Sequence, residues 1–299
     1  MNVAVMIQGG QGAQLMKCYM AADLCEKYEN VYVILGYRNC GELIARDHPN
    51  MHIIEWQQAQ ALFASVMQDP DNWDVVNLDP YRDGDFELRR AHFFDICRKQ
   101  LNLEPKDDST PNGSETMPTY TNVEEIVKAG EEFHKQHPKF VLLCIKGGMS
   151  SLRQPNGQRA IPGPELGLLR EYPVDKAEQL VQKLNDKGYQ VVQVCLPEET
   201  HVKGTITMTN EVPMEMYGEL AKYAECVITV DSSLMHFAIN NCKKMIVLWR
   251  ATAPTSFGYN KAINLKSPDY KPIAPLFSGI PDTPIATPVS VDEIMSNIA

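Results

Sequence analysis

The strongest fold signal in the chain lies in the segment Cys226-Val-Ile-Thr-Val-Asp-Ser-Ser-Leu-Met-His-Phe-Ala-Ile-Asn-Asn-Cys-Lys-Lys-Met-Ile-Val-Leu-Trp249. The apolar run Cys226–Val230 predicts a buried strand, and a helical pattern begins after Asp231, which we interpret as the helix N-cap. A second apolar strand, Met245–Trp249, follows the helix at once. The segment therefore predicts a βαβ unit of a parallel sheet, with its turn at the carboxyl edge, where open α/β sheets bind ligands.

The predicted turn carries side chains suited to an anionic ligand. Ser232 and Ser233 supply hydroxyl groups, and the helix would direct N–H groups and the positive end of its dipole at the same place. His236 lies on the same helix. A phosphate or diphosphate would fit such a turn. An isolated Asp cap or helix histidine is more often structural, so the inference depends on the whole string.

The same string resembles a family signature. Glycosyltransferase family 9, the ADP-heptose:lipopolysaccharide heptosyltransferase family, has Asp-(Thr/Ser)-(Gly/Ser)-x-x-His-x-Ala, and this chain has Asp231-Ser-Ser-Leu-Met-His-Phe-Ala238. The helical pattern Val212–Ala224 and the Thr/Pro segment Ala251–Tyr259 resemble the family as well. The resemblance implies an α/β protein with the GT-B fold. In that fold, two Rossmann-like domains with doubly wound parallel sheets face each other across a cleft.

The rest of the chain alternates strand and helix signals, as a doubly wound sheet requires. Strands are predicted at Val3–Ile7, Val31–Leu35, Met51–Trp56, Val75–Leu78, Phe140–Ile145, Gln190–Cys195, Val227–Val230 and Met245–Leu248. Helices are predicted near Gln14–Tyr28, Cys40–Arg46, Gln58–Met67, Phe86–Leu101, Val123–Gln136, Val174–Lys187 and Met214–Ala224. A polar, turn-rich stretch at about 104–120 predicts a linker between an acceptor-side domain at 1–120 and a donor domain at 121–299.

Length and composition exclude several classes of protein. With 299 residues the chain can form two domains with substantial cores, and no segment approaches the roughly 18 apolar residues of a membrane span. A strand begins near Met1 without a basic segment before it, so we expect a cytoplasmic protein without a signal peptide. Eight cysteines without a C-x-x-C pair argue against a disulfide framework or a zinc site. The net charge of −10 weakly disfavours a polyanionic partner bound over a broad surface.

The turn after the first strand, Gln8-Gly-Gly-Gln-Gly-Ala-Gln14, is rich in glycine and precedes a helix. It does not complete the dinucleotide motif G-x-G-x-x-G, because Leu15 stands at the third position. NAD and FAD are therefore disfavoured, and we expect no cofactor beyond a nucleotide-diphosphate sugar as co-substrate. By the resemblance, Gly10, Gln11 and Gly12 form an acceptor-side loop. The family's Gly-x-Gly-Asp has its candidate catalytic base in the last position, where this chain has Ala13.

Another group must therefore take the proton of the acceptor hydroxyl if the protein is an enzyme. Asp79 is our first candidate, because it follows a predicted strand whose carboxyl end should point into the cleft. A turn-forming Asp before Pro80 is the structural alternative. His236 is the second catalytic candidate. Asp83 and Asp85 form an Asp-x-Asp pair that could hold a metal or cap a helix, and we favour the cap, so no metal ligand is predicted.

The leaving diphosphate needs cations or hydrogen-bond donors. The loop Lys146-Gly-Gly-Met-Ser-Ser-Leu-Arg153 follows the first strand of the second half, and Arg170-Glu-Tyr-Pro173 weakly resembles the family's Lys-x-Trp-Pro motif. For most of these cations a solvated surface charge is the alternative. The predicted donor-binding residues are Asp231, Ser232, Ser233, Lys146, Ser150, Arg153, Arg170 and Thr252.

The sequence thus predicts a glycosyltransferase that moves a sugar from a nucleotide-diphosphate donor to a hydroxyl, and the resemblance implies inverting, metal-independent chemistry. The acceptor would be a glycan such as a lipopolysaccharide core, or a hydroxymethylated base in viral DNA. A local patch of Arg38, Arg82, Arg89 and Arg90 could serve the DNA substrate. A non-catalytic nucleotide-sugar binding protein is a third hypothesis, motivated by Ala13. The sequence identifies neither the acceptor nor the oligomeric state.

Overall fold

The computed structural model describes residues 1–104, 120–147, 170–197, 199–209, 212–272 and 286–298. The chain divides into two compact units, Met1–Thr121 and Asn122–Ala299. Each unit contains a parallel sheet, with four and six strands among the described residues. The predicted pair of parallel α/β domains is therefore confirmed. Most of the predicted linker, together with the candidate donor residues Ser150 and Arg153, lies outside the described residues.

The N-terminal unit has its first strand at the centre of its sheet. The strands are β1 (Asn2–Ile7), β2 (Asn30–Leu35), β3 (Met51–Glu55) and β4 (Trp73–Leu78). The α-helices are α1 (Gln11–Ala22), α2 (Arg38–Ala45), α3 (Ala59–Gln68), α4 (Gly84–Glu87) and α5 (Phe93–Gln100). The strand order is β3-β2-β1-β4, so the order reverses between β1 and β4. Because Ile7 pairs with Leu78, the segments that follow these two strands begin side by side.

Alternating apolar residues form the core of this unit. Val3, Val5 and Ile7 of β1 are fully buried on one face, as are Val31 and Val33 of β2. Helix α1 packs against both strands and against α2. Burial of each such side chain contributes about 1.5–3 kcal/mol, so this face holds the sheet and α1 together and fixes the loop between β1 and α1.

The predicted single helix Phe86–Leu101 is wrong. Helix α4 ends at Glu87 and α5 begins only at Phe93. Arg89 between them has a left-handed φ of 56°, and its N–H donates to the Phe86 carbonyl, which ends α4. His92 then caps α5, since its side chain accepts a hydrogen bond from the Phe94 N–H. The predicted helix Gln14–Tyr28 also differs, because α1 spans Gln11–Ala22 and a 3-10 turn follows.

The C-terminal unit contains the larger sheet. Its strands are β5 (Phe140–Cys144), β6 (Gln190–Cys195), β7 (Ile206–Thr209), β8 (Cys226–Val230), β9 (Met245–Trp249) and β10 (Ile263–Lys266). Its described α-helices are α6 (Glu124–Gln136), α7 (Val174–Asp186), α8 (Glu215–Tyr223), α9 (Ser233–Ala238), α10 (Pro254–Phe257) and α11 (Val291–Ser296). The strand order is β10-β9-β8-β5-β6-β7, with every pairing parallel.

The predicted β8-α9-β9 unit is confirmed, and its place in the sheet explains the apolar runs. All residues of β5, β8 and β9 are buried, because helices cover both faces of a doubly wound sheet and the inward–outward alternation is lost. The edge strands β7 and β10 were not predicted. Both have only half-buried or exposed residues and four positions, so they lack a continuous apolar run. The strand order reverses between β5 and β8.

None of the eight cysteines, all of which the structure describes, forms a disulfide, and seven of them are buried. They act as small apolar groups of the two cores. In the described part of the chain, no helix has both the length and the apolar character needed to cross a membrane.

Candidate functional site

The C-terminal site lies where the strand order reverses between β5 and β8, the place at which doubly wound sheets bind ligands. The segment after β5 approaches the end of β8 closely at Gly147. A Cβ atom at Gly147 would stand 2.8 Å from the Asp231 carbonyl oxygen and 3.2 Å from Cδ of Arg170. Only a glycine allows this approach, so Gly147 permits the contact that brings Arg170 to the strand end.

A buried ion pair forms the centre of this site. Nη1 of Arg170 lies 3.2 Å from Oδ2 of Asp231 and 3.4 Å from its carbonyl oxygen. The two side chains are 13% and 6% exposed. Nε of Arg170 is also buried and has no hydrogen-bond partner among the described residues. Two residues predicted to bind the nucleotide-sugar donor are thus in contact with each other. The Nε–H group of the guanidinium has no partner in the described part of the chain.

The predicted role of Asp231 as a helix cap is wrong. The N-cap of α9 is Ser232, whose side chain makes no capping hydrogen bond. The Ser232 hydroxyl lies 2.8 Å from that of Thr229 on β8 instead, and Asp231 is occupied by Arg170. The carboxylate therefore orients the arginine rather than the helix. Ser233 is the first residue of α9 and is only partly buried.

His236 forms a second buried pair that the sequence analysis did not predict. Its Nδ1 lies 2.7 Å from the hydroxyl oxygen of Tyr259. Burial lowers the pKa of His236 to about 4, with a smaller opposing contribution from Asp231. Burial also raises the pKa of Tyr259. At neutral pH the imidazole is neutral and the tyrosine protonated, so the two groups share one hydrogen bond whose direction is set by the tautomer of the ring.

This arrangement bears on the choice of a catalytic base. A histidine with a pKa near 4 and an occupied Nδ1 is a weak proton acceptor at neutral pH. Asp79 and His236 therefore both stay candidates for the base, because a carboxylate is no stronger a proton acceptor. Tyr259 ends the Thr/Pro segment that resembles family 9, so the resemblance indicated that this residue is important. Its distance from His236 in the sequence did not predict that the two side chains would form a hydrogen bond.

Two further residues predicted to bind the donor, Lys146 and Thr252, follow β5 and β9 in the same unit. Thr252 is buried, and its carbonyl accepts from the Tyr270 hydroxyl at 3.0 Å. Lys146 is half-buried at the end of β5. Arg250, which sequence reasoning missed, donates to the carbonyls of Glu171 and Ala286. It therefore fixes the segment next to Arg170.

A second set of predicted residues lies at the strand reversal between β1 and β4 in the N-terminal unit. Gln14 pins the glycine loop there, since its Nε2 donates to the Gly9 carbonyl at 2.7 Å. Its Oε1 accepts from the N–H groups of Gly36 and Tyr37 at 3.1 and 2.9 Å. Gly9 has a φ of 113°, a conformation that favours glycine. These contacts fix the backbone at the start of the loop that contains Gly10, Gln11 and Gly12.

Asp79 follows β4 directly, as predicted. Its Oδ2 lies 3.0 Å from Nε of Arg82, and its side chain is 26% exposed. Its carbonyl accepts from Nε2 of Gln100 at 3.0 Å. Asp79 precedes a 3-10 turn at Pro80–Arg82, so it forms a turn and also presents a partly accessible carboxylate.

The acidic pair Asp83 and Asp85 has a structural explanation. The Asp83 side chain accepts from the Asp85 N–H at 2.9 Å and caps α4. Nζ of Lys99 lies 3.0 Å from Asp83 and 3.7 Å from Asp85. Among the described residues, no group of three or more His, Cys, Asp or Glu side chains could hold a metal ion. The predicted helix cap is present.

The buried histidine should make stability depend on pH. Because the folded pKa of about 4 lies below the ordinary value of 6.5, the unfolded chain binds the proton more readily. The contribution of His236 to the free energy of unfolding is therefore fully present above pH 6.5. It falls by up to about 3 kcal/mol as the pH drops through 4. His236→Gln, which retains an acceptor for Tyr259, should flatten this slope in urea unfolding curves. The exposed control His201→Gln should keep it, and equal slopes in all three proteins would contradict the assignment.

Comparison with known proteins finds a family resemblance within the C-terminal unit. Residues 168–271 match the family model of glycosyltransferase family 9 (heptosyltransferase). This segment contains the Arg170–Asp231 and His236–Tyr259 pairs together with Ser232, Ser233, Arg250 and Thr252. No curated protein sequence matches the chain.

Solved structures share the fold at low sequence identity. A family 9 glycosyl transferase from Veillonella parvula has a TM-score of 0.59 and 14% identity, with 90% of this chain and 88% of that chain covered. The ADP-heptose lps heptosyltransferase II of E. coli has a TM-score of 0.53 and 15% identity, covering 88% and 89%. The E. coli heptosyltransferase WaaC with ADP has a TM-score of 0.51 and 11% identity, covering 90% and 94%. The predicted resemblance is confirmed: the chain shares the GT-B-like fold of these structures, and its residues 168–271 resemble glycosyltransferase family 9.

Proposed function

We propose that the protein is an inverting, metal-independent glycosyltransferase that moves a sugar from a nucleotide-diphosphate donor to a hydroxyl of a glycan. One observation carries this proposal. The segment that matches family 9 coincides with the strand reversal of the C-terminal sheet and with the two buried polar pairs there. The family match and the site geometry thus lie in the same part of the chain, which supports the proposal.

The charge arrangement suits a diphosphate leaving group. Asp231 holds the Arg170 guanidinium at the strand end, and a guanidinium recognises phosphate oxygens through several N–H groups in a fixed plane. The developing charge on the leaving diphosphate would be stabilised by this cation and by the Ser233 hydroxyl. The names of the two E. coli relatives include ADP or ADP-heptose. An adenosine diphosphate sugar is therefore the first donor to test.

The acceptor is proposed to bind on the N-terminal unit, with Asp79 as the base. Asp79 would remove the proton of the acceptor hydroxyl as its oxygen attacks the anomeric carbon, while the bond from that carbon to the diphosphate oxygen breaks. The products are the new glycoside, the nucleoside diphosphate and a proton on Asp79. The lps heptosyltransferase among the relatives makes a glycan the favoured acceptor class. The cytoplasmic location expected from the sequence stays a prediction.

Ala13 supports a second candidate, a nucleotide-sugar binding protein without activity. Release of nucleoside diphosphate distinguishes the two. A protein that binds ADP in calorimetry, yet releases no nucleotide from ADP sugars with glycan acceptors, would be a binding protein. Release that depends on hydroxymethylated DNA instead of a glycan would favour the DNA acceptor.

Ser233→Ala should weaken donor binding. The hydroxyl at the start of α9 is proposed to donate to a phosphate oxygen, and loss of one such bond costs about 1 kcal/mol, or roughly fivefold in Kd. Isothermal calorimetry with ADP measures the change. Ser65→Ala, on the exposed side of α3 in the other unit, is the matched control. Equal affinities for wild type, Ser233→Ala and the control would remove Ser233 from the donor site.

Asp79→Asn should abolish most of the turnover while donor binding persists. The substitution keeps the size of the side chain and removes its charge, and a general base typically contributes 10²–10⁴ in rate. Steady-state kinetics should show kcat reduced by about that factor, with the Kd for ADP unchanged. Asp71→Asn, at an exposed turn of the same unit, provides the control. Near-wild-type kcat in Asp79→Asn would exclude this residue as the base.

Turnover should be insensitive to chelation. Arg170 and hydroxyl donors are proposed to take the place of a divalent cation at the diphosphate, so EDTA should leave the rate of nucleotide release unchanged. The assay is run on the full chain with and without EDTA, followed by Mg²⁺ or Mn²⁺. Activity lost in EDTA and restored by either ion would refute the metal-independent mechanism.

A further inference from the structure

A buried lysine lies beneath the glycine loop of the N-terminal unit, and the proposed mechanism does not use it. Lys17 is on α1, four residues and about one helical turn after Ala13, and it is fully buried. Its Nζ donates to the Gln8 carbonyl at 2.8 Å. In the described part of the chain it forms no ion pair within 4.0 Å. A buried ammonium is costly unless it is compensated, so its surroundings indicate what it does.

Aromatic rings provide part of the compensation. Nζ lies 5.4 Å from the ring centroid of Tyr81 and 5.9 Å from that of Phe93, both within the range of cation–π attraction. The two rings also contact each other edge to face, with centroids 5.6 Å apart. Tyr81 belongs to the 3-10 turn that Asp79 begins. The ammonium is thus attached to the β1–α1 loop through Gln8 and to the Asp79 turn through Tyr81.

Strand pairing makes this link direct. Ile7 and Leu78 are register partners on β1 and β4, so Gln8 and Asp79 leave the sheet as neighbours at its carboxyl edge. Burial lowers the pKa of Lys17, and Asp79 is one of the groups that oppose this shift. Asp79 itself begins the turn whose Tyr81 ring faces the ammonium. The ion-pair partner of the Asp79 carboxylate is Arg82.

We propose that Lys17 is a positioning residue that holds the Asp79 turn and the glycine loop in register for proton transfer. Its side chain extends from the helix turn below Ala13, so it joins the two segments next to the position where family 9 has its aspartate. The inference rests on the proposed function, in which Asp79 is the base. Lys17 itself does not contact the acceptor, because it is buried behind the loop.

Three substitutions separate charge from packing. Lys17→Gln can still donate to the Gln8 carbonyl but carries no charge. Lys17→Arg keeps the charge and its attraction to the aromatic rings. Gln14→Ala loosens the same loop at Gly9 without removing a charge, and so is the matched control. Calorimetry with ADP should give the same Kd for all of them as for the wild type, because the donor is proposed to bind to the other unit.

Lys17→Gln should reduce kcat about tenfold, since a small misplacement of a catalytic group has effects of this size. The KM for the acceptor should stay near the wild-type value, because Lys17 contacts neither substrate. Lys17→Arg should restore kcat in large part, because it keeps the charge beside the two rings. Gln14→Ala should also lower kcat, and it shows what loosening of the loop alone does. A wild-type kcat in Lys17→Gln, or an equal loss of kcat in Lys17→Arg, would overturn the proposal.

A measurement that needs no activity separates this proposal from the proposed function. In NMR spectra of the full chain, the backbone amide signals of Gly9 and Asp79 should move in Lys17→Gln and return towards their wild-type positions in Lys17→Arg. If no acceptor is glycosylated but these displacements are found, the proposed function fails and the link of Lys17 to the Asp79 turn stands. If sugar transfer is found but the signals are the same in Lys17→Gln and in the wild type, the function stands and Lys17 does not position the turn.

Discussion

The strand order of the two sheets is the constraint on which both candidate sites depend. In each unit the chain adds strands on one side of a central strand and then reverses, between β1 and β4 in the first and between β5 and β8 in the second. The segments that leave the two strands at a reversal diverge, so the carboxyl edge remains open there. Gln8 and Asp79 stand at one reversal, and Gly147 and Asp231 stand at the other.

The C-terminal reversal is organised by buried polar groups. A buried ion pair stabilises a fold only weakly, because desolvation of both charges offsets most of their attraction. The Arg170–Asp231 pair is therefore better explained by geometry: it keeps a guanidinium at the strand end, with Nε unpaired among the described residues. His236 and Tyr259 satisfy each other in the same way, and burial keeps the imidazole neutral. Both pairs fix their groups through contacts within the protein, which is what stabilisation of developing charge requires.

The N-terminal reversal differs from the family pattern at Ala13 but is equally well fixed. Three successive carbonyls of the loop, those of Gln8, Gly9 and Gly10, accept hydrogen bonds from Lys17, from the Gln14 side chain and from the Gln14 N–H. Such complete pairing restricts the loop to one conformation. Burial of Lys17 beneath this loop is costly, and its contacts with the Gln8 carbonyl and the Tyr81 ring offset part of that cost.

The sequence by itself determined the two parallel α/β units, the β8-α9-β9 segment and the polar character of the turn after β8, because these depend on local periodicity and on residue types next to each other. It failed where contacts between distant segments decide. Asp231 was predicted to cap α9, but its partner is Arg170, 61 positions away in the chain. The break between α4 and α5 depends on a left-handed Arg89, which propensity does not indicate. Folding brings Tyr259 to His236, Arg250 to the Glu171 carbonyl and Lys17 to the Asp79 turn. The sequence did not predict these contacts, because hydrogen bonding and desolvation act through space and leave no periodic pattern in the chain.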